Sequence, residues 1–366
     1  MPIPDPAPRF FTTEGPDLPF VSVIIPVRNE AGYIGRCLHA LAGQDYPRDR
    51  MEVIVLDGGS TDSTEDEVRV TAENAGLTVF YAPNPKRTAA AGFNLGLTLA
   101  HGHVIVRLDG HSRPAPDFLS ASVRVLQETG ADAVGGPIDT RGHGEVGRAI
   151  ALAMSSGFGI GDTAFRHRDA GLQEADTVPY GAYRRDVFER VGNLAEDIDR
   201  GEDDEFNYRL RAAGGRIVLS PEIRSTYYCR ETLGGLARQY WGYGLAKAEV
   251  LRRHPERLRL RHLAPPAFVA VLGGGLLLGG VVKPLGRLAA LAAGAYAVAN
   301  AVATLKLARE HKREARYLPL AFACIHLPAG AGMLLGFVRS FAQRVLTRRY
   351  RPVEGHAASP STTMHS

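Results

Sequence analysis

The sequence predicts an α/β fold: a mostly parallel sheet covered by helices, followed by C-terminal transmembrane helices. Three observations lead there. Short apolar, β-branched runs alternate with stretches of helical periodicity from Phe20 to Leu219, the pattern of βα units that lay parallel strands side by side. Two of those runs close on a carboxylate, Asp57 and Asp109. Beyond them lie three apolar runs without an ionised side chain, 264–282, 288–305 and 317–338. Their lengths bracket the ~20 residues that cross a bilayer.

Taken in order, residues 1–19 carry six prolines and read as an irregular leader without the basic and apolar stretches of a secretory signal. Phe20–Glu30 is a buried strand running into a polar loop. Ile34, Leu38 and Leu41 mark a helix over 31–43, and Met51–Asp57 is a second strand. Gly58-Gly-Ser-Thr-Asp62 is the turn and cap before the next helix. Leu77–Tyr81 is a third strand, 88–100 an Ala-rich helix, and His103–Asp109 a fourth strand. A helix over 118–128 leads to a short strand at Ala133–Pro137. Residues 139–176 are rich in Gly, His and Arg and weakly patterned, so they read as a partly mobile stretch. Order resumes at Val178–Arg185, with a helix at 186–191. Gly201-Glu-Asp-Asp-Glu205 opens a helix over 205–213 that Gly214-Gly215 ends, and Arg216–Leu219 is a strand. Leu233–Arg253 is a helix carrying Gln239, Tyr240, Trp241 and Tyr243.

Charge is unevenly spread. Residues 251–366 hold 17 Lys+Arg against 4 Asp+Glu, leaving 26 against 35 in residues 1–250. Because the cations lie between apolar runs, they point to a membrane surface and not to nucleic acid. Arg252–Arg261 and Lys306–Arg316 are both basic, which places both on the cytoplasmic side and makes the first two runs a hairpin joined at Lys283–Arg287. By that logic the third run ends outside, yet Arg339, Arg344, Arg348, Arg349 and Arg351 argue for inside. The His326-Leu-Pro328 segment is expected to break that run into a re-entrant or interfacial element. Residues 20–255 then form the catalytic domain, 256–350 the membrane region and 351–366 a disordered tail. The three cysteines have neither disulfide nor metal-site spacing.

In parallel sheets, ligands gather at the carboxyl ends of the strands, where Asp57 and Asp109 sit. No Gly-x-Gly-x-x-Gly follows the first strand and no Walker lysine motif is present, so dinucleotide and P-loop sites are excluded. In an extended Asp109-Gly-His111, residues two apart point the same way, so carboxylate and imidazole can hold one divalent ion against a diphosphate. On that tripeptide alone a plain strand-to-turn junction is the favoured reading. The acidic cluster likewise admits two roles, capping a helix N-terminus or supplying a general base.

Four motifs occur in register: Pro26-Val-Arg-Asn-Glu30, Asp57-Gly-Gly-Ser-Thr-Asp62, Asp109-Gly-His111 and Gly201-Glu-Asp-Asp-Glu205. Together they resemble glycosyltransferase family 2, and Asp176–Arg185 with Arg238–Gly244 resembles its membrane-associated branch. The likeness covers residues 20–250 and implies a GT-A fold, a nucleotide-diphospho-sugar transferase with a Rossmann-like, mostly parallel sheet. It implies that Pro26, Val27, Arg28, Asn29, Glu30 and Asp57 hold the nucleotide, with Lys86 and Arg87 in the adjoining loop and Asp109 at the diphosphate. Asp109 and His111 occupy the family's metal position, for Mg²⁺ or Mn²⁺, with His111 where a second Asp is usual. Asp203, in a Glu-Asp pair with Glu202, matches the catalytic base, and Asp204 and Glu205 stand beside it. The processive synthases carry Gln-x-x-Arg-Trp; Ala237-Arg-Gln-Tyr-Trp241 keeps only the Trp, which implies transfer of one sugar. Arg238, Gln239 and Trp241 fall on the acceptor side, where Trp241 stacks on a sugar or anchors its helix at the membrane interface.

The implied protein is an inverting, membrane-anchored transferase taking a nucleotide sugar, UDP-linked in the first instance, to a lipid-linked or other glycan acceptor. It sits in the cell membrane by several passes, with its catalytic domain cytoplasmic and lipid around its apolar runs. Two rivals are a non-catalytic nucleotide-sugar-binding scaffold of an export complex and a processive synthase.

Overall fold

A computed structural model describes residues 18–161, 171–198 and 200–349. Nearly all of the expected leader and the whole expected tail lie outside the described residues. The first half is β1 (Val21–Val27), α1 (Ile34–Ala42), β2 (Met51–Asp57), α2 (Thr64–Ala75), β3 (Val79–Pro83), α3 (Ala89–Leu99) and β4 (Val104–Arg107). Next come β5 (Ser112–Pro114), α4 (Phe118–Thr129), β6 (Ala133–Gly135), β7 (Ile138–Arg141), α5 (Gly144–Met154) and α6 (Gly157–Ile160). Then follow β8 (Gln173–Glu174), β9 (Ala182–Arg184), α7 (Asp186–Val191), α8 (Glu202–Ala212), β10 (Ile217–Leu219) and β11 (Ser225–Tyr228). Four long helices close the described chain: α9 (Leu233–Arg253), α10 (Leu260–Leu278), α11 (Lys283–Ala308) and α12 (Leu318–Arg349).

Eight strands form one sheet in the order β3-β2-β1-β4-β9-β6-β10-β8. β3, β2, β1 and β4 run parallel, as do β6 and β10, whereas β9 and β8 are antiparallel to their neighbours. Period-two alternation distributes the side chains between two cores. Val23, Ile25, Val53 and Val55 pack with Leu38 and Phe118; Ile24, Ile54 and Leu56 pack with Phe93, Leu97 and Phe206 on the other face. α3 lies close because a Cβ at Gly96 would meet Ile24 Cγ2 at 2.5 Å.

Register positions the site. Val27 pairs with Asp57 and Asp57 with Pro83, so the loops after β1, β2 and β3 emerge side by side. β4 pairs with β1 only through Val21–Ile24. Pro26, which has no N–H to donate, therefore lies past the pairing on that side.

The structure departs from the sequence reading in several places. β4 ends at Arg107, so Asp109 stands in the loop beyond it, and β3 lies two residues later than expected. The stretch 139–176 contains the helix α5, whose buried Ala149, Ile150, Ala153 and Met154 have a regular apolar spacing that its glycines obscure. A second sheet, β5-β11-β7, was not foreseen, because three- and four-residue strands carry too little period to read. α8 begins at Glu202, so the acidic cluster is its first turn. α12 continues through Pro328 without breaking. Of the three apolar runs, α11 and the 318–340 part of α12 are long and apolar enough to cross a membrane, whereas the apolar part of α10 stops at Leu278.

Candidate active site

The loops at the carboxyl edge of the sheet are tied to one another by side chains. Asp57 Oδ1 accepts from Ser60 N–H at 3.0 Å and Ser60 Oγ at 2.7 Å, and Oδ2 accepts from the Tyr81 hydroxyl at 2.7 Å. Burial, then that hydroxyl's place beside the Asp57 carboxylate, pushes the Tyr81 phenol up. Asn29 sits in the left-handed region at φ 56°. Its N–H donates to Ser60 Oγ, and its Oδ1 accepts from Thr61 N–H, both at 2.8 Å. Glu30 and Ala31 N–H donate to Thr64 Oγ1 and Asp62 Oδ2. The first two sequence motifs thus fold against each other. A cavity of about 640 Å³ opens beside them, lined among others by Asp57, Gly59, Tyr81, Asn84 and Arg87. A Cβ at Gly58 would lie 3.3 Å from the Arg87 backbone, so glycine lets that loop sit close over this turn without pressing on it. Pro26 and Val27 contribute backbone at the strand end, and Arg28 is exposed. Lys86 is turned aside to Glu196 at 2.5 Å.

Arg107 organises the other half. Its guanidinium reaches Glu202 Oε1 at 2.6 Å, Asp203 Oδ2 at 3.5 Å and Asp109 Oδ1 at 3.9 Å. Its Nε is buried without a hydrogen-bond partner among the described residues. Burial pulls this guanidinium down, and Glu202, Asp203 and Asp109 more than offset it, holding it above its ordinary value. Glu202 is only 4% exposed; desolvation pushes its carboxyl up against the pull of Arg107. Sequence reasoning did not single out Arg107, although a cation two residues before Asp109 in an apolar strand was the available signal.

The four acids of α8 are not equivalent. Glu202 is bound to Arg107, Asp204 to Lys247 at 2.8 Å, and Glu205 to Arg209 at 2.9 Å and His254 at 3.1 Å. Asp203 accepts from Asp204 N–H at 2.9 Å, and its side chain is 40% exposed. Among the described residues its shortest cation contact is the 3.5 Å one to Arg107.

His111 Nδ1 lies 2.9 Å from Glu30 Oε1. Burial lowers the imidazole, but the Glu30 hydrogen bond and charge, then Asp109, raise it overall. Among the described residues no three His, Cys, Asp or Glu side chains form a group able to hold an ion alone. Asp109 alone offers the oxygen ligand that suits a divalent cation of the Mg²⁺ kind, which is bound through one or two carboxylates and completes its shell from phosphate oxygens and water; the imidazole nitrogen of His111 is a softer donor than that cation usually takes. A carboxylate on the far nitrogen is the usual support for a ligating histidine.

The expected acceptor-side residues separate. Arg238 is exposed and Trp241 is 38% exposed, whereas Gln239 is buried. Gln239 Nε2 donates to the Tyr227 and Tyr243 hydroxyls, each at 2.9 Å. Tyr227 lies edge-on to His111 at 5.4 Å, and Arg200 lies over Tyr243 at 6.0 Å. Gln239 therefore ties α9 to β11 through Tyr227, beside His111.

The glycosyl transferase family 2 model matches residues 22–192. The succinoglycan biosynthesis protein ExoA of Rhizobium meliloti is 32% identical over 258 residues, covering 70% of this chain and 77% of that one. A dolichyl N-acetyl-α-D-glucosaminyl phosphate 3-β-D-2,3-diacetamido-2,3-dideoxy-β-D-glucuronosyltransferase of Methanococcus voltae is 31% identical, covering 64% and 74%. Among solved structures, the mannosyltransferase PcManGT of Pyrobaculum calidifontis, in complex with GDP-Man and Mn²⁺, superposes with a TM-score of 0.57 at 22% identity, covering 90% of each chain.

Proposed function

This chain belongs to glycosyl transferase family 2, and we propose that it is an inverting transferase, held at the membrane, that moves one sugar from a nucleotide sugar to a lipid-linked saccharide in exopolysaccharide or cell-envelope synthesis. The observation that carries the reading is the division of labour in the acidic turn. Glu202, Asp204 and Glu205 are each bound to a cation at 2.9 Å or less, which leaves Asp203 as the exposed carboxylate of the cluster. Asp203 takes the proton of the acceptor hydroxyl as that oxygen attacks the anomeric carbon, and a single displacement inverts it. Glu202 and Arg107 position it from beneath.

The nucleoside lies in the cavity beside Asp57, Tyr81 and Arg87, with Pro26–Glu30 forming its wall. Asp109 and His111 would hold a divalent cation, Mg²⁺ or Mn²⁺, which supplies charge neutralisation for the departing diphosphate. Glu30 orients the imidazole, and Arg107 sets the Asp109 side of the site. The acceptor side adjoins the apolar helices: the Trp241 carbonyl lies 2.3 Å from where a Cβ at Gly332 of α12 would be. An acceptor carried on a lipid would arrive along that face.

The test is turnover of UDP-, GDP- and dTDP-sugars by detergent-purified protein with Mg²⁺, Mn²⁺ or EDTA, with and without a lipid extract. One donor is expected to be consumed, with label passing into the lipid fraction and loss of turnover in EDTA and in Asp109→Ala. Transfer to soluble acceptors alone would refute the lipid acceptor. Absence of both turnover and nucleotide binding would refute the enzyme.

A further inference from the structure

The apolar C-terminal helices are not equivalent. α12 is built into the catalytic unit by one face from Leu318 to Phe337, while Leu320 and Val338 stay exposed. Leu318, Ala321 and Phe322 are fully buried and Ile325 nearly so, in the same core as Val23 and Ile25 of the central sheet. One stretch further on, α12 meets α9 backbone to backbone: a Cβ at Gly244 would lie 2.1 Å from Ala329 O, and one at Gly336 would lie 2.5 Å from Ala248 Cβ. Met333 and Phe337 complete a small cluster with Ala248 and Leu251. The connector before α12 is fastened too, through Arg148–Glu314 at 2.7 Å and Arg316–Glu145, both to α5. A helix held at its start, middle and far part by one water-facing domain cannot carry its far end across ~30 Å of hydrocarbon.

α10 and α11 are different. Their bases rest on α12, through Pro265 at Gly330 and through Asn300 Nδ2 donating to Pro319 O at 3.0 Å. One turn nearer the tip, the Tyr296 hydroxyl still meets His326 Nδ1 of α12 at 2.9 Å and its ring lies against Phe158; beyond it the two helices touch each other, Gly275 against Ala289 and Gly279 against Gly286, and otherwise expose apolar side chains. Leu276, Leu277 and Val281 are more than 80% exposed, and Leu291 and Val298 more than 60%. From Asn300 to Lys283 the helix rises about 26 Å at ~1.5 Å per residue, near the thickness of the hydrocarbon core. The apolar run of α10 continues past its helical end at Leu278 through Gly279–Val282, and Lys283 and Arg287 stand at the tip. Two cations there suit the opposite headgroup layer and would be costly inside the bilayer.

We infer that α10–α11 is the only membrane-crossing element among the described residues, a hairpin with its tip in the far headgroups, and that α12 stays on the catalytic side. This rests on the proposed membrane anchoring. It places the basic segments around 252–261, 306–316 and 339–349 on one side, which removes the conflict that three crossings create with the distribution of positive charge.

The test is cysteine labelling with a membrane-impermeant maleimide in spheroplasts expressing the full chain. Gly280→Cys, where a Cβ meets nothing within 4 Å, reports the tip; Lys312→Cys the connector; and Arg339→Cys the far part of α12. The unsubstituted protein is the blank for its own three cysteines. Gly280→Cys is expected to label in intact spheroplasts, and the other two only after permeabilisation. Labelling of Arg339→Cys from outside, with the tip also labelled, would overturn the placement of α12 and leave anchoring intact. Labelling of Gly280→Cys only after permeabilisation, with the protein retained through an alkaline carbonate wash, would overturn the crossing. Release by that wash would overturn the anchoring itself.

Discussion

Replacing Arg107 with Met tests whether the buried half of the site is held together by charge. The side chain is 14% exposed and spans three carboxylates, one of them, Glu202, almost completely buried. Removing one partner of a buried pair costs about 3–5 kcal/mol, because it strands the other charge. That is a large part of the ~5–15 kcal/mol that holds a typical domain. The deficit should depend on pH. Burial already raises the Glu202 carboxyl; without Arg107 its folded-state pKa rises further above the unfolded value. A group raised in the folded state contributes its stability fully below the unfolded pKa and loses it as pH rises through the folded one. Arg107→Met should therefore be least damaging near the ordinary glutamate pKa of about 4.3 and most damaging at neutral pH. Adding Glu202→Gln should recover most of the loss. Urea denaturation in detergent, followed by fluorescence of the single tryptophan, Trp241, at several pH values reads all of this. A deficit below ~1 kcal/mol, or one unchanged by pH and by Glu202→Gln, would refute the reasoning.

The remaining predictions concern separate parts. Asp203→Asn should lower transfer by roughly 10²–10⁴-fold while nucleotide binding by calorimetry is retained; unchanged turnover would move the base elsewhere. Asp57→Ala releases Ser60 and Tyr81, so donor KM should rise by the equivalent of about 1–3 kcal/mol with kcat much less affected. Gly244→Ala places a methyl 2.1 Å from Ala329 O and should cost about 1–3 kcal/mol, read as a lowered Tm of the detergent-solubilised protein.

The parallel half of the fold was legible because β1, β2 and β4 are buried on both faces and so appear as unbroken apolar runs. β5, β7 and β11 are too short to show a period, and α5 is masked by the glycines and basic residues around it. The first two motifs were readable as contiguous stretches because their contacts fall between loops at adjacent strand ends. Which acid of the cluster stands apart was not readable, because that depends on Arg107, Lys247 and His254, brought in from β4, α9 and the end of α9. Arg107 went unnoticed because a lone arginine in a strand looks like ordinary alternation until its burial is known. The role of α12 was hidden for a related reason. Apolar composition is the same for a helix facing lipid and for one facing a core, and only its partners separate the two.

The most direct test of the transferase reading is the anomeric configuration of the product. Wild-type protein and Asp203→Asn would each be given the accepted nucleotide sugar and lipid acceptor, and the linkage formed would be assigned by NMR. Inversion relative to the donor is expected in the wild type, and from the variant, which still binds nucleotide, product formed roughly 10²–10⁴-fold more slowly. Retention of configuration, or an inverted product formed by Asp203→Asn at the wild-type rate, would contradict that reading.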